Sequence, residues 1–63
     1  MAGKSSVGKR IRTFREERNV DLETLSQNTG LTVNFLERME NDEIYPTIGP
    51  LQKVARSLGV RLG

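Results

Sequence analysis

The chain has 63 residues, with ten Lys and Arg against eight Asp and Glu for a net charge of +2, and it lacks both cysteine and histidine. That length allows one small domain, which buries only roughly 60% of the surface its unfolded chain exposes. Disulfide staples, thiolate nucleophiles, Cys/His zinc sites and a histidine general base are thereby excluded, and no apolar run reaches the roughly 18 residues of a membrane span.

A hydrophobic fraction of 35% beside 29% charged residues fits a compact helical domain better than a disordered tail. No signal-peptide core follows Met1, so a cytoplasmic setting is expected. Residues 1–5 are small and polar and read as a loose basic leader to a domain over 6–63.

Val7, Ile11, Phe14 and Arg18 then recur at helical spacing, with Ser5 or Ser6 as cap and Asn19 as a left-handed stop. Gly8 falls in the first turn, where its entropic cost is small. A second helix starts at Asp21, whose carboxylate can accept the Thr24 amide, while Val20 and Leu25 are spaced as a hydrophobic staple. Leu22, Leu25 and Thr29 form its inward stripe, and Gly30 stops it.

Thr32 caps a third helix, with Leu31 and Leu36 as the staple and Phe35, Leu36 and Met39 facing inward. Asn41-Asp42 ends it, and Pro46 makes Glu43 to Pro46 a loop. Thr47 is the expected cap of a fourth helix with Pro50 in its first turn, a stripe of Ile48, Leu51, Val54, Ala55 and Leu58, and a stop at Gly59. No internal repeat is visible. The expected fold is all-α, a compact domain of four short helices.

The charge is segregated along the chain. Residues 1–18 carry Lys4, Lys9, Arg10, Arg12, Arg15 and Arg18 against Glu16 and Glu17, net +4. Residues 19–49 set Arg38 against Asp21, Glu23, Glu37, Glu40, Asp42 and Glu43, net −5, and Lys53, Arg56 and Arg61 close the chain at +3. A basic start can face a polyanion, or it can be a solvated helix face with a flexible leader.

The joint Thr29-Gly30-Leu31-Thr32 is too short for two antiparallel helices, so the second and third must cross steeply in a helix-turn-helix. Ser26 supplies the small residue at their crossing, and Leu25, Leu31, Leu36 and Met39 form the contact. A generic helical hairpin is the plainer alternative.

Taken together, Ile11 to Arg18, Leu22 to Thr32, Phe35 to Asn41, Pro46-Thr47 and Ala55 to Val60 resemble the helix-turn-helix domain of the phage repressor/Cro family, also called the xenobiotic-response-element family. The resemblance runs from Val7 to Val60. It implies a lambda-repressor-like fold and a DNA-binding transcriptional regulator, a repressor or its relative, that acts as a homodimer on double-stranded DNA with the third helix (about 33–41) in the major groove. Its base readers fall on Val33, Asn34 and Arg38, with Glu37 beside them.

Residue chemistry agrees: Arg38 suits guanine O6/N7, Asn34 adenine and Val33 a thymine methyl, while Leu36 and Met39 face away. The plainer alternatives are a solvated Arg38 paired to Asp42, a helix-start Asn34 and stray apolar surface at Val33. Backbone phosphates are expected at Thr32 and Asn41, with Lys9, Arg12 and Lys4 as weaker candidates. Arg15 and Glu40 resemble the family's internal ion pair between the first and third helices.

Three features depart from the family pattern. The resemblance implies a fifth helix that helps pack the dimer, and the sequence reaches Gly63 before one, so a truncated five-helix domain is the alternative to a four-helix one. The other two lie within the helical part. Leu22 stands where a phosphate-binding glutamine is common, and the block 19–49 is acidic. Both encourage a second function, a protein-interaction or dimerisation module that keeps the fold without DNA contact. Residues 44–63 most resemble regulators that continue into a small-ligand-sensing barrel outside this chain. An enzyme is not expected, since no nucleophile and base are paired. No cofactor, metal or membrane partner is implied.

Overall fold

The computed structural model describes residues 6–60. The expected leader at 1–5, with Lys4, and the tail 61–63 lie outside the described residues. Between them run α1 (Val7–Glu17), α2 (Leu22–Thr29), α3 (Val33–Glu40) and α4 (Ile48–Leu58). No strand forms among the described residues.

Local chemistry sets the helix boundaries. Ser6, Asp21 and Thr32 have extended backbone, and their side-chain oxygens accept the amides of Lys9, Thr24 and Phe35 at 3.1, 2.8 and 3.0 Å. Thr47 differs from expectation. It occupies the N-cap of α4, but its side chain makes no capping hydrogen bond. The residue three positions on is Pro50, which has no amide to donate, so the usual partner of a threonine cap is missing.

A left-handed residue follows each helix end: Asn19 and Asp42 at φ 55° and 61°, Gly30 and Gly59 at 78° and 71°. The amides of Val20, Glu43 and Val60 reach back to the carbonyls of Arg15, Arg38 and Ala55 at 2.8 to 3.0 Å, closing three helix ends in the same way.

Every helix contributes to one core. Ile11 from α1, Leu25 from α2, Leu36 and Met39 from α3, and Val54 and Leu58 from α4 are buried. Each of α1 and α2 packs against both α3 and α4. The staple residues Val20 and Leu31 and the half-buried Leu22 pack on this core. Ile48 does not join its expected stripe: at the first position of α4, one turn before Leu51, it is 72% exposed.

The α2–α3 bend is braced by side chains as well as by Gly30. The Ser26 hydroxyl donates to the Leu31 carbonyl, so this residue holds the turn in addition to being small. Thr29 Oγ1 donates to Leu25 O at 2.7 Å and accepts the Leu31 amide at 3.2 Å. The two bonds to Leu31 satisfy a carbonyl and an amide that the sharp turn takes out of the helical ladder.

Gly8 carries more than the entropic consideration noted from sequence. A Cβ on it would strike the carbonyl oxygen of Met39 and lie 2.7 Å from both the Glu40 carbonyl and Asp42 Oδ1. The first turn of α1 therefore rests directly on the C-terminal end of α3, and opposite helix-dipole ends meet there. Gly8→Ala should lower unfolding free energy by about 1–3 kcal/mol despite alanine's better helix propensity, as read from the midpoint of urea denaturation.

The Asp21 cap gives stability a pH dependence. Hydrogen bonding to Thr24, first through the backbone amide, lowers the Asp21 carboxyl below its ordinary value. A group depressed in the folded state contributes fully above its unfolded pKa, and that contribution disappears as pH falls through the folded one. Thermal scans below pH 4 should therefore show a loss of stability that is smaller in Asp21→Asn, which keeps the cap without the charge.

Candidate nucleic-acid interface

Successive residues of an α-helix turn by about 100°, so α3 divides into two faces. Phe35, Leu36, Met39 and Glu40 lie on the inward arc, and Leu36, Met39 and Glu40 are buried. Val33, Asn34, Glu37 and Arg38 lie within the opposite arc of about 140°. Of these, Asn34, Glu37 and Arg38 are exposed, whereas Val33 is half-buried and sits outside the hydrophobic core cluster. The four expected base readers thus share one accessible flank at and beyond the Thr32 cap.

Arg38 is not paired to Asp42. Its Nε lies 3.5 Å from Glu43 Oε1, and both side chains are more than half exposed. The left-handed turn at Asp42 brings the Glu43 amide onto the Arg38 carbonyl and the Glu43 side chain with it. An exposed pair of this kind holds weakly, about 0–1 kcal/mol, and leaves the guanidinium available. Asp42 instead places Oδ1 against the start of α1 at Gly8.

At the other end of α3 four polar side chains meet. The Glu40 side chain is 2% exposed. Arg15 Nε donates to its Oε2 at 2.7 Å and Arg15 Nη2 to Oε1 at 3.0 Å, while Arg12 Nε reaches the same Oε1 at 3.3 Å. A further Arg15 bond, Nη1 to Val20 O at 3.0 Å, ties the α1–α2 linker to the cluster. Hydrogen bonding to Glu40, reinforced by its charge, raises the Arg15 pKa against the opposing effect of burial. Arg12 Nη2 also donates to Asn41 Oδ1 at 2.8 Å.

Two of the expected phosphate residues are therefore bonded to each other, a contact absent from the sequence reading. The usable signal was the i, i+3 spacing of Arg12 and Arg15, which sets both on one side of α1 toward a single carboxylate. Other cations of the basic block divide by role. Arg18 lies 5.5 Å over the Phe14 ring and 3.8 Å from Glu17. Lys9 is exposed, with no ion pair among the described residues, three positions before Arg12. Thr32 is exposed as well, its oxygen accepting from Phe35 while its own proton stays available to donate.

Comparison with known proteins finds both a family and a relative. Residues 10–63 fit the family model of the Cro/C1-type helix-turn-helix DNA-binding domain. The immunity repressor protein of Bacillus phage phi105 is 32% identical over 57 residues, covering 90% of this chain. The chain spans 40% of that relative's length.

Glu40 is also the most consequential charge for stability, because it is buried. Removing one partner of such a pair leaves an uncompensated ion, whereas replacing both with apolar groups is often close to neutral. Arg15→Met should cost about 3 kcal/mol, the low end for a broken buried pair, because Arg12 still reaches Oε1. In the same urea titrations, Arg15→Met/Glu40→Leu should recover most of that loss.

Proposed function

Since the chain belongs to the Cro/C1-type helix-turn-helix DNA-binding family, we propose that it binds double-stranded DNA in a sequence-specific manner as the head domain of a transcriptional regulator, with α3 in the major groove. The phage relative's description as an immunity repressor supports a regulatory role. The observation that carries the reading is the two-faced α3: its inner arc is locked into the core, and its outer arc offers hydrogen-bonding side chains to a groove.

Each reader has a chemical match. Arg38 can give two parallel bonds to guanine O6 and N7, Asn34 can pair with adenine N6 and N7, Glu37 can accept from cytosine N4, and Val33 can meet a thymine methyl. Thr32, Lys9, Arg12 and Asn41 supply phosphate contacts that fix register without reading sequence. Two copies on a duplex would place their α3 helices one helical turn of DNA apart, about 34–36 Å.

Leu22, which favoured a DNA-free interaction module, packs against the core and is accounted for there. The acidic block is likewise dispersed: Glu40 is buried under two arginines, Glu43 faces Arg38, and Asp42 meets α1.

Selection of bound duplexes from a random pool should enrich a motif and report half-site spacing. Failure to enrich any motif at low salt, with a stable protein partner captured instead, would favour the interaction module. Arg38→Ala should weaken binding to the selected site by about 1–3 kcal/mol and relax the preference at one base pair, leaving binding to unrelated duplex nearly unchanged.

A further inference from the structure

We propose that Arg12 and Asn41 form a single preorganised clamp for one DNA backbone phosphate, with Arg12 fixing the direction of the Asn41 amide. The inference rests on the DNA-binding reading above and concerns how two of its contacts are coupled.

The coupling follows from donor chemistry. A guanidinium has five N–H donors and no acceptor, so the Asn41 amide facing Arg12 must present its oxygen. Arg12 Nη2 takes that oxygen at 2.8 Å. The Asn41 Nδ2 group is then turned away from Arg12, on an exposed residue, and makes no hydrogen bond among the described residues. Without Arg12 the amide is free to flip and offer an acceptor, which a phosphate repels.

Arg12 is itself held in place. Its Nε is bonded to Glu40, and Glu40 is fixed by the two bonds from Arg15, so the order of restraint runs from the buried ion pair outward to Asn41. Two of Arg12's five N–H groups are occupied, which leaves three. Together with the two on Asn41 Nδ2 they form a donor-only surface.

Charge selects an anion. Arg12 and Arg15 share one carboxylate, leaving one positive charge in excess, and it resides on Arg12, whose side chain is 44% exposed against 13% for Arg15. The C-terminal end of a helix ordinarily repels anions. Here the last carbonyls of α3 rest against α1 at Gly8, so the group presented outward is the guanidinium. A donor-only, cationic surface about 12 Å along α3 from Val33 fits a phosphodiester and cannot serve the acceptor-dependent parts of base readout.

The test measures affinity for the selected duplex and for an unrelated one across a salt series, with thermal unfolding of each variant alongside. Arg12→Met should weaken binding to both duplexes by a similar factor and reduce the salt slope by about one. Asn41→Ala should weaken both without changing the slope, and in the Arg12→Met background it should have little additional effect. Asn41→Asp keeps an oxygen for Arg12, so it should unfold no lower than wild type yet bind DNA worse than Asn41→Ala.

Full additivity in the double variant, an unchanged slope in Arg12→Met, or an Asn41→Asp protein that binds normally overturns the clamp while leaving DNA binding intact. A wild-type chain that binds no duplex at low salt overturns both readings. Asn41→Asp keeps the test decisive if Arg12→Met does not fold.

Discussion

The contact between the start of α1 and the end of α3 governs the orientation of the outward helix. Gly8 lets the α1 backbone rest on the Met39 and Glu40 carbonyls, and the buried carboxylate of the same Glu40 receives Arg15 and Arg12 from α1. Backbone contact sets the distance and the ion pair sets the rotation. In a chain of 63 residues with six buried hydrophobic side chains among the described residues, apolar packing alone specifies orientation loosely. The Glu40 carboxylate adds three directional hydrogen bonds between α1 and α3, and these form only at a limited range of helix rotations.

The other end of α3 is fixed by a different device. Across the Gly30 bend the hydroxyls of Ser26 and Thr29 satisfy backbone groups of the turn, and Thr32 caps the helix. An eight-residue helix is too short to be stable by itself, so α3 depends on being held at both termini. Its outer arc can then carry exposed polar side chains, Asn34, Glu37 and Arg38, that stand clear of the core. Because the residues that hold the helix are different ones, these three positions are open to variation without loss of the fold.

Electrostatics connect these two ends. The middle of the chain is acidic in sequence, which by itself argues against a polyanion ligand, yet in space its carboxylates are largely spoken for. Asp21 caps α2, Glu40 is enclosed by guanidinium groups, and Asp42 abuts the positive end of α1. Net charge per segment is therefore a poor guide to the potential of a surface when partners come from distant parts of the chain.

Helix boundaries, the three working caps, the left-handed stops at Asn19 and Gly30, and most of the core were legible in the sequence, because each depends on residues within about five positions of one another. Thr47 holds the expected N-cap position but makes no side-chain bond there for an equally local reason, the missing amide of Pro50. Ile48, by contrast, satisfies the periodicity of its helix and is still exposed, since periodicity gives a direction and not whether a neighbour lies there. The same limit hid the closeness of Gly8 to α3, the Arg38–Glu43 pair in place of Arg38–Asp42, and the bond between Arg12 and Asn41, 29 residues apart. Sequence alone thus fixed which segments are helical and which side chains each could turn inward; tertiary structure decided which charges became buried, paired or available, because that depends on the docking of helices whose contacts no local pattern encodes.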